Sequence, residues 1–130
     1  MASPTIKQKV EFNSSASKIF ELLTTAKVFE SATGAPAKMD PVAGGEFDLF
    51  GGWILGSNIE LVAGKRVVQN WRAKNWPEGI MSKVTFELSE SNGKTTLDFT
   101  HDGYPDGEGE HLAQGWEMKY WAPFREFLNK

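Results

Sequence analysis

No cysteine occurs in the 130 residues, which rules out a disulfide framework, a thiolate metal site and a cysteine nucleophile. Histidine is almost as scarce. His101 and His111 are the two present, one expected at a strand end and one at a helix start, with no metal-ligand spacing between them. Asp102 follows His101, but neighbours on a strand face opposite ways, so the two form no acid–base pair. Long apolar runs are missing: nothing approaches the roughly 18 residues a membrane-spanning helix needs. The start, Met1-Ala-Ser-Pro-Thr5, lacks the basic and apolar stretches of a signal peptide. Positive charge is not in excess, because 14 Lys and Arg face 17 Asp and Glu for a net −3. No bulk field therefore draws the protein to nucleic acid or an anionic membrane.

Catalytic motifs are absent as well. Gly44-Gly45 and Gly51-Gly52 are followed by no lysine and precede strands, so neither is a phosphate loop. Gly115-Trp-Glu117 contains no serine and cannot be a nucleophile elbow. Asp106, Glu108 and Glu110 lack EF-hand spacing and read as solvated loop charge. No catalytic residue, metal ligand or cofactor is expected. A hydrophobic share of 40% and a charged share of 24% are ordinary for a globular protein. The length suits one domain, residues 1–130, expected to be cytoplasmic and a monomer or weak dimer.

Periodicity supplies the organisation. Ile6–Phe12 alternates, with Ile6, Val10 and Phe12 on one face and Lys7, Lys9 and Glu11 on the other, which is a half-buried strand. Asn13-Ser-Ser15 offers caps for a helix over Ala16–Thr24, with Ile19, Phe20, Leu22 and Leu23 as its apolar stripe. A second short helix is expected over Ala26–Thr33, ended by Gly34-Ala-Pro36. Strands follow at Gly45–Phe50, Ile54–Val62, Arg66–Arg72, Met81–Glu90 and Lys94–His101, with glycine-bearing breaks that suit hairpins; Asn92-Gly93 is the strongest turn signal. A long helix closes the chain over Glu110–Leu128. Leu112, Trp116, Tyr120, Phe124 and Phe127 or Leu128 lie on its buried face, and Pro123 should kink it. The fold class is α+β: a curved six-stranded antiparallel sheet wrapped around the terminal helix, with two short helices after the first strand.

Such a sheet can leave a cavity beneath the helix. Strand parity puts one polar residue in each inner apolar row: Ser57 with Ile59 and Leu61, Gln69 with Val67 and Trp71, Ser82 with Val84 and Phe86, His101 with Leu97 and Phe99. Either these polar groups line a pocket, or they sit at strand ends already open to solvent. Basic residues Arg66, Arg72, Lys74 and Lys83 near Trp53, Trp71 and Trp76 suit a protein-partner patch better than a nucleic-acid surface.

One stretch is specific. Phe50-Gly-Gly, Gly56, Ile59-Glu-Leu-Val62, Lys65-Arg-Val-Val-Gln-Asn-Trp-Arg72 and Asn75-Trp-Pro-Glu-Gly79 resemble the carboxy-terminal domain of the activators of the 90-kilodalton heat-shock chaperone's ATPase. The likeness continues through Ser82-Lys-Val-Thr-Phe86, Thr95-Thr-Leu97, Gly103-Tyr-Pro105 and Gly115-Trp116. The resemblance implies the helix-grip fold of the START and birch-pollen-allergen superfamily, a cavity between sheet and helix, and a co-chaperone role in stress. The expected function is non-enzymatic binding of an apolar small molecule, a chaperone partner, or both; a cyclase-like enzyme is the remaining alternative. Expected ligand-binding residues are Phe29, Phe47, Leu49, Ile59, Leu61, Phe86, Phe99, His101, Trp116 and Tyr120. Trp53, Arg72, Asn75, Trp76 and Glu78 are expected at the partner surface.

Overall fold

A computed structural model describes residues 5–128. Seven strands, β1 (Thr5–Phe12), β2 (Ala37–Met39), β3 (Glu46–Leu49), β4 (Ile54–Val62), β5 (Arg66–Ala73), β6 (Ser82–Ser91) and β7 (Lys94–Asp102), form one sheet. Its order is β1-β7-β6-β5-β4-β3-β2, and the pairings are antiparallel. β2 makes the sheet seven-stranded rather than six. Its three residues are too few to show alternation, and only its pairing with β3, from Ala37↔Leu49 to Met39↔Phe47, defines it. The β6–β7 hairpin turns at Asn92 (φ 53°) and Gly93 (φ 77°), the two left-handed residues that a tight hairpin turn requires.

Helices α1 (Ala16–Thr24) and α2 (Ala26–Thr33) connect β1 to β2. Ser15 caps α1, its hydroxyl accepting from the Lys18 amide at 3.2 Å. α2 ends at Gly34, whose φ of 74° lets its amide reach the Glu30 carbonyl.

The closing helix runs as α3 (Gly109–Trp116), a π turn (Glu117–Trp121) and α4 (Ala122–Leu128). Pro123 explains the middle piece. A proline ring collides with the carbonyl four residues back and offers no N–H. The wider turn relieves this: the Ala122 amide donates to the Glu117 carbonyl, five residues back. The extra residue also rotates the helix, so both Tyr120 and Trp121 face inward, at 5% and 1% exposure. Trp121, absent from the expected helical stripe, donates its indole N–H to Gln8 Oε1 at 2.7 Å. Rings of Phe86 and Phe99 on the sheet lie 5.9 and 4.4 Å from that of Trp116. The sheet thus grips the terminal helix, the helix-grip arrangement that the resemblance implies.

The inner face departs from strict alternation in β4, where a bulge falls between Asn58 and Glu60. Asn58 turns inward at 5% exposure, and Ile59, expected inside, stands out at 47%. The amide of Asn58 donates to the carbonyls of Asp40 and Val42 at 3.0 and 3.2 Å, and its Oδ1 accepts from Gln69 Nε2 at 3.1 Å. One side chain therefore ties the β2–β3 loop to the sheet. Asn58→Ala is expected to lower the urea-derived unfolding free energy by about 2–3 kcal/mol, because it leaves the buried Gln69 amide unpaired. A loss below about 0.5 kcal/mol, ordinary for surface changes, would contradict this role.

Candidate functional site

The helix packs tightly over β6 and β7 and lifts away over the β4–β5 end. There the β3–β4 turn, the ends of β4 and β5, the loop after β5, α3 and the π turn enclose a cleft of about 530 Å³. Its buried surfaces come from Trp71, Trp76, Leu112, Trp116 and Tyr120. Phe50, Ile54, Ala73, Glu108 and Gly115 complete the walls, and Trp53, Asn75, His111, Gln114, Met118 and Lys119 stand at the mouth.

Local chain chemistry aims these residues. Phe50, Gly51 and Gly52 all have positive φ, at 56°, 67° and 94°. A phenylalanine in that region is strained, by roughly 1–3 kcal/mol, and is anchored by its backbone N–H, which donates to the Pro36 carbonyl at 2.8 Å. The turn swings the Phe50 ring inward, 5.6 Å from Phe29 and 5.9 Å from Tyr120. It throws Trp53 outward to 56% exposure, with Lys74 Nζ 5.9 Å from the indole centroid. Across the cleft, Arg72 donates to the carbonyls of Trp76 and Ile80 at 2.9 and 3.2 Å. That clamp folds the loop back and presses Trp76 against Trp71, ring centroids 5.6 Å apart.

The two expected residue sets meet here only in part. Trp116 and Tyr120 from the ligand set line the cleft, and so do Trp53, Asn75 and Trp76 from the partner set. Phe29, Phe47, Leu49, Phe86, Phe99 and His101 are buried in the core and do not line it. Leu61 is half-buried and packs on the core's edge, and Ile59 is outside because of the bulge. Trp76 is 5% exposed rather than part of an open surface, and half-buried Arg72 is engaged with its own loop. Asn75 and Glu78 are exposed as expected. Phe50, Ile54 and Leu112 were not expected at a site, and Trp71, named in an inner row and beside the basic patch, belonged to neither residue set; the Phe50-Gly-Gly string was the available signal.

The inner polar residues are satisfied by the protein, not by a pocket. Trp116 Nε1–H donates to His101 Nδ1 at 3.1 Å, which fixes the proton of a neutral ring on Nε2. That nitrogen lies 2.7 Å from Ser82 Oγ, which in turn donates to the Trp71 carbonyl at 2.6 Å. Burial pushes the His101 pKa down to about 3. Gln69 bonds Asn58; Ser57, expected in the inner row, faces away from inward-turned Asn58 and accepts from Asn70 Nδ2 at 3.3 Å on the outer face. Two polar atoms bordering the cleft differ. Trp71 Nε1 and Tyr120 Oη are shut off from solvent with no hydrogen-bond partner. They face each other: the indole N–H acts on the phenol, whose pKa burial raises and Trp71 partly offsets, yet the pair falls outside bonding geometry. An unpaired buried polar group costs about 1–3 kcal/mol.

Among the described residues, no group of three or more His, Cys, Asp or Glu could hold a metal ion. None of the helices among them is long and apolar enough to cross a membrane.

Comparison with known proteins gives the lineage. The human activator of 90 kDa heat shock protein ATPase homolog 1 is 33% identical over 125 residues, 95% of this chain and 37% of that protein. A Dictyostelium discoideum homologue is 32% identical over 87% of this chain and 30% of its own length. The chain therefore spans well under half of these curated relatives. The crystal structure of an HSP90 activator from Plasmodium falciparum superposes with a TM-score of 0.89 at 28% identity, covering 96% of both chains. A profile described as activator of Hsp90 ATPase homolog 1-like protein matches residues 13–129, and the chain belongs to that family.

Proposed function

We propose that this chain is a non-enzymatic binding module that docks on the 90-kilodalton heat-shock chaperone in the cytoplasm and favours its ATP hydrolysis, with the cleft mouth as the contact. Exposed Trp53 carries the reading. An indole half in solvent, held on a strained turn and flanked by Lys74, contributes little to this fold. Tryptophan is also the residue most enriched where partners bind tightly. Asn75 and Glu78, on the loop that Arg72 clamps, extend the same rim. A rigid rim lowers the ordering cost of association. Arg72 and Trp76 act from beneath, by holding that loop.

Catalysis is the weaker alternative. His101, the one buried histidine, has both ring nitrogens engaged by Trp116 and Ser82 and does not line the cleft, so it has no free edge for a substrate.

Titration of the chaperone with the wild-type protein and Trp53→Ala tests the docking proposal. The variant is expected to bind about 30-fold more weakly, the 2 kcal/mol of a tight interface anchor. Its own stability should stay within about 0.5 kcal/mol of wild type. Equal affinities would remove Trp53 from any contact. Absence of binding by the wild type would dismiss the chaperone as partner.

A further inference from the structure

We propose that the free edge of β1 takes an extended segment of a partner protein as an added strand, one carrying acidic residues opposite Lys7 and Lys9. This contact is separate from the cleft rim. β1 ends the sheet, with β7, β6 and β5 between it and β4, and none of its residues lines the cleft.

An edge strand leaves every second backbone N–H and C=O without a ladder partner, a ready template for another chain. The two edges of this sheet differ. β2 is blunted by its length of three residues. β1 has eight residues and no proline, and it pairs with β7 in unbroken register from Thr5↔Asp102 to Phe12↔Thr95, with no bulge to twist it away. Among the described residues, no backbone group of residues 6–12 bonds outside that ladder. The edge is also held in place. Gln8 accepts from Trp121 Nε1 at 2.7 Å and donates to the Ala113 carbonyl at 3.2 Å. That pins β1 to the closing helix and lowers the ordering cost of an incoming strand.

The side chains choose the occupant. Lys7 and Lys9 stand exposed on the outer face. Lys7 lies across from Thr100, and Lys9 is 3.9 Å from Asp98 with its side chain 70% exposed. Carboxylates directly opposite on an added strand would pair with both, and opposite-charge cross-strand pairs stabilise a ladder. A second copy is disfavoured, because pairing two β1 strands about Gln8 or Lys9 sets lysine against lysine. Beside the edge, a groove of about 350 Å³ lies between residues 8–11 and the helix residues Glu117, Trp121 and Arg125. It gives room for the inward side chains of the added strand. Glu117 and Arg125 pair with each other, so those inward positions suit uncharged residues.

Titration with synthetic peptides at low salt, followed by the protein's amide resonances, tests the proposal. The probes are an end-blocked peptide alternating glutamate with valine, its counterpart with lysine for glutamate, and the glutamate peptide N-methylated at alternate positions. The glutamate peptide is expected to bind about tenfold more tightly than the lysine peptide, the sum of two reversed cross-strand charge pairs. It should shift the amides of residues 6–12 and slow their hydrogen exchange. The N-methylated peptide, with the same charge and fewer backbone donors, should lose that binding. The double variant Lys7→Glu/Lys9→Glu should reverse the preference; if it fails to fold, the wild-type comparisons decide. Equal affinities, no binding, unaltered binding after N-methylation, or shifts confined to the cleft rim would each overturn the proposal. So would a wild-type dimer whose β1 amides are already protected, since the edge would then belong to a second copy. None of these outcomes alters the Trp53→Ala chaperone titration.

Discussion

Acidification from pH 7 to pH 4 is expected to remove about 3 kcal/mol of stability through His101 alone. In the fold its pKa is pushed down to about 3 by burial; in the unfolded chain it returns to about 6.5. Between those values the unfolded state holds one more proton than the folded state, so stability falls as pH falls, by about 1.4 kcal/mol per unit. Below about pH 3 the effect levels off. Geometry gives the same sign. Protonation puts an N–H on Nδ1, where it meets the Trp116 N–H that now donates to it at 3.1 Å, setting donor against donor.

Carboxylates titrate over the same range, so the decisive measurement is a difference. Unfolding free energies of wild type and His101→Gln, taken in urea at pH 7, 5.5 and 4, isolate the histidine. Glutamine retains an acceptor and a donor and takes up no proton. The variant should be less stable at pH 7, and the gap should shrink or invert by pH 4. A gap that is constant with pH would rule out a histidine held neutral by the fold.

Gly56→Ala should be comparably damaging, lowering stability by about 3 kcal/mol or more, at the upper end of what overpacking costs. An added Cβ would lie 1.9 Å from the Asn70 carbonyl oxygen and 2.5 Å from Phe47 Cζ. The Phe47 ring can rotate aside, but Asn70 is backbone within the β4–β5 ladder. β4 would have to separate from β5, next to the paired Trp71. Gly64→Ala is the control. Its φ is +69° with open space around it, so it bears only left-handed strain, about 1–2 kcal/mol. Thermal and urea denaturation of the two variants should differ clearly, and similar losses would mean that close approach at Gly56 is unimportant.

Much of the architecture was legible because period and punctuation are local. Alternation located β1 and β3 to β7, the three-and-four spacing of Leu112, Trp116, Tyr120 and Phe124 located the closing helix, and Asn92-Gly93 located its hairpin. β2 escaped because three residues have no period. Ile59 was misplaced because a bulge inserts one residue and reverses parity beyond it, and it becomes visible only in the pairing with β5. The polar inner row looked like a pocket lining because its partners, Asp40, Val42 and Trp116, are distant in sequence.

The site was legible in its residue types and not in its arrangement. An aromatic and glycine-rich stretch pointed at recognition, but Trp53 and Trp76 look alike on paper. Arg72 folds one inward by gripping its loop, and the turn at Phe50 turns the other out. By itself the chain's order of apolar, polar and glycine residues determined the elements, their succession and the burial of the helix face, since each depends on neighbours a few positions away. The cleft, the neutral state of His101 and the two unpaired donors were decided only by tertiary structure. They depend on groups brought within a few ångströms by the curvature of the sheet and by the π turn that carries Tyr120.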